Sequence, residues 1–493
     1  MSLPGQIVAD HNFIVATRET GYRSLTAALS ELVDNAVQAN AQSIDVLVME
    51  DRPESGQREI SIAVLDDGTG MSRETLWTAL QFGGTRRFGD RSGLGRFGMG
   101  LPNSSVSQTR RLEVYSWRRP GGCLFSYLDV DEVVGRRLHS IPQPMSRDLP
   151  AWLRSPTGRT GTLVVWPRCD RLDFRKANTI AEKLGRQLGQ VYRHLIWQGL
   201  CIRVNNRPVE PVDPLHCHPT TGAGGARQFG SLLTYELTGS RPGVTSVLAV
   251  RFTELPIAKW HRLSPEAKRD LGVIGGSGVS VVRAGREIDY GWYLLGAKRR
   301  ENYDDWWRCE ISFAPELDEY FGVTHSKQGI NPTAALKAVL APDLEQIARA
   351  LNRRVRLNFE RVKAKSEGRP AQTAARQDCL LPPARSLKRH KAPGRWGLEY
   401  RIRTAALPER TFYRLAQGKG SLTITLNRDH PFYTQLYGGA SDRDRSVSEA
   451  LEKLLLAAAR ADLEASSKAE RHWLQRHRNA WSDALATFLD GKI

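Results

Sequence analysis

The segment LTAALSELVDNAVQANA, residues 25–41, carries Leu25, Ala28, Leu29, Leu32, Val33 and Ala36 at helical spacing. That pattern predicts a helix with one apolar stripe turned toward a sheet. Glu31 and Asn35 stand four apart, so both project from one side of this helix, one turn from each other. A carboxylate so placed can polarise a water. An amide oxygen beside it can help hold a magnesium ion, which takes few protein ligands and keeps waters and phosphate oxygens for the rest. Helices also carry Glu and Asn at this spacing by chance, so the pair gains meaning only from the company it keeps along the chain.

Three further stretches supply that company. EISIAVLDDGTGM (59–71) predicts a strand entering a tight turn, where Gly68 and Gly70 permit backbone angles and close approach that a β-carbon forbids. Asp66, at the strand end, is placed either to accept a hydrogen bond from an exocyclic amine such as that of adenine or to close the strand as an Asx turn. GGTRRFGDRSGLGRFGMGLPNSS (83–105) sets glycines at 83, 84, 89, 93, 95, 98 and 100 ahead of a helix start near Pro102. Such a segment can wrap phosphates with backbone N–H groups and close as a lid, or it can be a surface loop. It lacks the GKS or GKT ending of a P-loop, and no dinucleotide-type βαβ unit surrounds it. GRTGTLVVWP (158–167) starts a strand with Gly161 and Thr162, whose hydroxyl can share the proton network around Asp66.

Taken together, ELVDN, DDGTGM, GRFGMG and TGT, in that order over about 130 residues, resemble the four nucleotide-binding motifs of the GHKL ATPases, the group of gyrase, heat-shock chaperone, histidine kinase and MutL. The resemblance implies a Bergerat-type α/β sandwich that binds ATP with magnesium. It makes Glu31 the general base and Asn35 the magnesium ligand. Asp66 becomes the adenine reader, and Gly68, Gly70, Met71, Gly95, Arg96, Phe97, Gly98, Met99 and Gly100 form the cradle and lid. Thr162 is the supporting hydroxyl. Relatives that hydrolyse ATP draw a lysine from a following transducer domain to the γ-phosphate. LDEYFGVTHSKQGINP (317–332) looks like that loop, with Lys327 in the matching place, and GVSVVRAGREI (278–288) looks like a transducer hairpin. A point charge there offsets negative charge on the transferred phosphoryl group. The wording is most similar to prokaryotic MORC-like ATPases, a group linked with restriction and anti-phage defence, and the resemblance covers roughly residues 10 to 345.

Bulk properties place this site in a larger setting. At 493 residues the chain calls for two or three domains. Its punctuation predicts an ATP-binding domain over 1–215 and an α+β transducer-like domain over 216–345. A helix and basic linker come next over 346–395, then a small C-terminal α+β domain over 396–493. No apolar run nears the roughly 18 residues that cross a bilayer. The opening MSLPGQIVADHNF lacks the pattern of a signal peptide, and the six cysteines form no CxxC pair. A cytoplasmic protein with reduced thiols is expected. HCHP (216–219) is not expected to bind metal, because neighbours in an extended loop point in different directions.

The net charge of +18 favours a polyanionic partner, foremost DNA held through its phosphates. Between Arg361 and Arg395 stand ten Lys or Arg against two acids, which favours an extended, polyanion-contacting segment. Trp396, Tyr400, Phe412 and Tyr413 lie near basic residues, where core packing and base stacking are both open. No nuclease or methyltransferase constellation appears, so cutting or modification of DNA would fall to a partner such as a nuclease, helicase or methyltransferase. The expected function is a nucleotide-gated, dimerising clamp ATPase. The alternatives are a chaperone-like ATPase acting on a protein and a non-hydrolysing nucleotide sensor or scaffold.

Overall fold

A computed structural model describes residues 9–22, 24–51, 59–84, 98–153, 159–219, 225–239, 243–323, 329–367, 369–382, 384–385, 398–418, 420–437 and 445–490. The chain divides into two compact units, the first running to Arg354 apart from 257–262, the second taking those six residues and Val355 onward.

The first unit opens with α1 (Asp10–Glu19) and α2 (Leu25–Gln38), followed by β1 (Ser43–Asp51) and β2 (Glu59–Asp66). Next come α3 (Arg73–Ala79), α4 (Gly100–Val106), β3 (Arg111–Trp117), β4 (Leu124–Asp129), α5 (Val130–Val134), β5 (Met145–Ser146) and β6 (Gly161–Trp166). The helices α6 (Ala177–Val191) and α7 (Arg193–Trp197) lead to β7 (Cys201–Val204) and β8 (Arg207–Pro208). Eight strands form one mixed sheet in the order β5-β4-β3-β6-β2-β1-β7-β8, antiparallel throughout except for the β1–β7 pair. The pleat explains why β2 is buried almost throughout. Ile60, Ile62 and Val64 face a core shared with Leu29, Leu32 and Val33 of α2 and with Leu184 and Leu188 of α6. Ala63 and Leu65 face the opposite side, where Tyr115, Phe125, Leu163 and Val165 form a second cluster against Leu149 and Leu153. A strand buried on both faces has no solvent side, which is why only Ser61 interrupts the apolar residues from Ile60 to Leu65.

The same unit continues with β9 (Arg227–Gln228), β10 (Leu233–Thr238) and β11 (Thr245–Glu254). Beyond α8 (Ile257–Trp260), which falls in the second unit, come α9 (Pro265–Asp270), β12 (Val279–Arg283), β13 (Arg286–Gly291), β14 (Trp307–Phe313), α10 (Asp318–Phe321) and α11 (Ala334–Glu367), whose residues from Val355 on belong to the second unit. The sheet order is β10-β11-β14-β12-β13, with β9 on β11 and β12 parallel to β14. Leu336, Leu340, Leu344, Ala348 and Leu351 of α11 lie on this sheet's core at helical spacing.

A buried polar cluster joins the two sheets. Arg193, fully enclosed, donates to Glu287 at 2.7 Å, to Glu310 at 2.6 Å and to Ser280 at 2.7 Å, while Gln190 donates to Glu287 at 2.6 Å. Burial pushes the Glu310 carboxyl up, but hydrogen bonds and charge from His194 and Arg193 prevail and hold it down at about 2.

The second unit builds a three-stranded sheet from β15 (Glu399–Ala405), β16 (Tyr413–Gly418) and β17 (Ser421–Asn427), in the order β15-β17-β16, with α12 (Arg369–Gln377), α13 (Arg445–Asp462) and α14 (Lys468–Asp490). Part of the stretch read as linker is thus the helix α12, whose Ala371 enters this unit's core. Tyr400, Phe412 and Tyr413 are core residues here, at 6%, 1% and 3% exposure, so they are packed and not offered for base stacking. Trp396 lies outside the described residues. Among the described residues no helix is long and apolar enough to cross a membrane.

Replacing Arg193 with leucine leaves Glu287 and Glu310 buried without their shared cation. Urea unfolding should show a loss of about 3–5 kcal/mol, the usual cost of breaking a buried pair from one side.

Candidate functional site

The site lies at one end of the eight-stranded sheet, where α2, the β2 turn, α4 and the start of β6 meet. Ser24 caps α2 by accepting from the Ala27 N–H at 3.2 Å. The helix then carries Glu31 inward, at 4% exposure, and leaves Asn35 exposed one turn later. Gly100, the first residue of α4, stands directly over the Glu31 carboxylate: a β-carbon at 100 would sit 2.6 Å from Glu31 Oε2. The glycine that ends the GRFGMG motif is therefore what gives this carboxylate its room.

At the end of β2, Asp66 is 8% exposed. Its Oδ1 accepts from the Gly68 N–H at 2.9 Å, and its carboxyl also takes the Thr162 backbone N–H across the β2–β6 register. Burial pushes this carboxyl up to about 6 from its ordinary 3.8, with Asp67 adding to the rise and the two N–H bonds moderating it. Gly70 holds a left-handed φ of +64°, and a β-carbon there would lie 2.1 Å from the Trp117 carbonyl. The Thr162 hydroxyl does not bond Asp66 directly; it lies 3.1 Å from Ser116 Oγ, which accepts the Met71 N–H at 2.8 Å and donates to the Gly161 carbonyl at 3.0 Å. Ser116 is thus the pin that ties the DDGTGM turn to the TGT strand. Nothing in the strand RLEVYSW marks this serine out in the sequence.

Of the lid residues, Gly98, Met99 and Gly100 are described, and the Gly98 carbonyl accepts the Gly83 N–H at 3.1 Å, which joins the two ends of the glycine-rich segment. Gly95, Arg96, Phe97 and Lys327 lie outside the described residues. Three residues not singled out by their motifs also converge here. Asp34, fully buried, has its Oδ2 2.6 Å from Arg286 Nη1 and its Oδ1 2.8 Å from the Tyr192 hydroxyl. Asp34 lies inside the ELVDN motif, but its partners come from the α6–α7 junction and from the second sheet.

A helix-borne Glu and Asn, a strand-end Asp, the turn glycines and the mixed sheet together fit a GHKL-type ATPase domain. Residues 22–147 match the family described as histidine kinase-, DNA gyrase B- and HSP90-like ATPase, so the chain carries such a domain and is MORC-like in sequence. Over 91 residues it is 35% identical to ATPase MORC2 of Homo sapiens and to ATPase MORC2A of Mus musculus, and 34% identical to ATPase MORC2B of Mus musculus. The aligned segment is 18% of this chain and 9% of each relative.

Two glycine substitutions separate conformational cost from steric cost. Gly83→Ala, at φ +78° with open space around it, should cost about 1–2 kcal/mol in thermal or urea unfolding. Gly70→Ala adds the collision with the Trp117 carbonyl to a similar backbone cost and should destabilise by clearly more.

Proposed function

We propose that this protein hydrolyses ATP to ADP and phosphate and uses the cycle to open and close a homodimeric clamp on DNA. The carrying observation is Glu31: a nearly buried carboxylate set against the end of the glycine-rich segment, one helical turn from an exposed asparagine, inside a GHKL-type domain. In this reading Glu31 takes the proton of the attacking water. Asn35 would supply an oxygen to magnesium, which when bound would neutralise charge on the phosphate oxygens. Waters and phosphate oxygens would complete the magnesium shell, since this ion keeps several waters and takes few protein ligands. Asp66 accepts from the adenine amine, while Gly68, Gly70, Met71 and the segment through Gly95, Arg96, Phe97, Gly98, Met99 and Gly100 surround the nucleotide. Thr162 braces Asp66 through its N–H, and Lys327 reaches the γ-phosphate on closure.

The charge of +18 supports DNA as the partner, held by phosphate contacts without sequence preference. The likeness to prokaryotic MORC-like ATPases supports a cytoplasmic role in anti-phage defence or restriction, alongside a nuclease, helicase or methyltransferase partner. The deciding measurement is magnesium-dependent phosphate release with and without double-stranded DNA. DNA-stimulated turnover supports the clamp. Turnover indifferent to DNA moves the assignment to a protein-directed, chaperone-like ATPase, and ATP binding without turnover moves it to a sensor or scaffold.

Glu31→Gln should retain binding of a non-hydrolysable ATP analogue and lose turnover by about 100-fold or more. Asn35→Ala should instead lose the magnesium dependence of binding.

The raised carboxyl of Asp66 adds a pH signature. The folded protein holds this proton more tightly than the unfolded chain, so the group's contribution to stability declines as pH rises from 3.8 through about 6. An ionised carboxylate accepts the amine's hydrogen bond more strongly than the neutral carboxyl does. Calorimetry should therefore show analogue affinity falling as pH drops below about 6, and Asp66→Asn should bind weakly with that dependence removed.

A further inference from the structure

Arg286 opens β13 on the second sheet, yet its guanidinium lies in the nucleotide-binding layer, 252 residues along the chain from the helix residue it meets. Nη1 donates to Asp34 Oδ2 at 2.6 Å and stands 3.9 Å from Glu31 Oε1. The side chains of Arg286, Asp34 and Glu31 are 4%, 0% and 5% exposed. Glu31 and Asp34 are three apart on α2, so their carboxylates are neighbours and repel, and with so little water present the repulsion is weakly screened. A cation shared between them relieves that repulsion and gives the Glu31 carboxylate a fixed electrostatic anchor. The Tyr192 hydroxyl holds the other oxygen of Asp34 at 2.8 Å.

The anchor is itself held. Arg286 comes just after the tight turn at Ala284 and Gly285, with φ of +49° and +81°, and its neighbour Glu287 is bound by Arg193 and Gln190 of the first layer. Any shift of the β12–β13 hairpin against α2 therefore moves the cation relative to Glu31. A lysine in this place would supply a point charge but not a planar fork.

We propose that Arg286 is the positioning residue of the ATPase site: from the second sheet it aims the Glu31 carboxylate and balances its charge, so that the base is set only while the two sheets are in register. This rests on Glu31 being the base. Arg286 acts through Glu31 and not on the nucleotide.

The test uses the full chain. Arg286→Lys should bind a non-hydrolysable ATP analogue within about threefold of wild type, keep KM close to wild type and lose about tenfold or more in kcat, as expected when a reacting group is slightly misplaced. A fall in melting temperature with unchanged kcat would overturn the proposal. The pair Arg286→Gln with Asp34→Asn removes the cation and the carboxylate it bonds together, so that exchange leaves the net charge of the pair unchanged. Turnover that stays low in the pair supports positioning of Glu31. Recovery to wild-type turnover would mean that Arg286 serves only as a structural tie to Asp34. A thermal double-mutant cycle between Arg286→Gln and Glu31→Gln reads the same contact without turnover. Melting shifts that differ between the two Glu31 backgrounds support the proposal, and equal shifts overturn it. If wild type releases no phosphate, the base reading of Glu31 fails, and with it the catalytic role of Arg286. The cycle then still reports whether the two side chains are coupled.

Discussion

Glu31 and Asp34 lie one turn apart on α2 and almost out of water, and burying two carboxylates side by side is tolerable only where cations and donors meet them. Arg286 and Tyr192 do so: one arrives from the second sheet, the other from the junction between α6 and α7. The nucleotide-binding layer therefore requires its neighbour. A protein whose first domain alone held the site could leave the second free to drift, but here the charge balance of the site helix is completed from outside its own layer.

The Arg193 cluster meets the same demand at the same boundary. Arg193 from α7 enters between Glu287 and Glu310 of the second sheet, so cations cross in both directions: Arg286 inward to α2, Arg193 outward to β13 and β14. Charge pairs of this kind are directional and desolvated, and their hydrogen bonds form only over a narrow range of geometries. A change in the angle between the sheets would move Arg286 relative to Glu31.

The local geometry of the candidate site was legible in the sequence because it spans only a few residues at a time. Glu31 and Asn35 are related by one helical turn, the Asp66 turn by strand-end geometry, and the glycine spacing by the need for close approach, which Gly70 against Trp117 and Gly100 against Glu31 both illustrate. Ser116 was not readable, because a lone serine in a strand signals nothing until β3 is paired with β6. The basic stretch before the last domain misled for a related reason: its composition favours extension, yet α12 forms there because Ala371 finds an apolar surface in the folded unit.

The sequence by itself determined the helix, the strand-end turn and the glycine-rich segment, since each depends on residues within a few positions of one another. The order of the motifs supplied the class of site. Only the tertiary structure decided what Glu31 and Asp34 face. Arg286 is distant from them in the chain, and periodicity carries no information about a contact made by the packing of two sheets. The electrostatics of a buried site belong to whatever surrounds it once water has been excluded, and that surrounding exists only after the whole unit has folded.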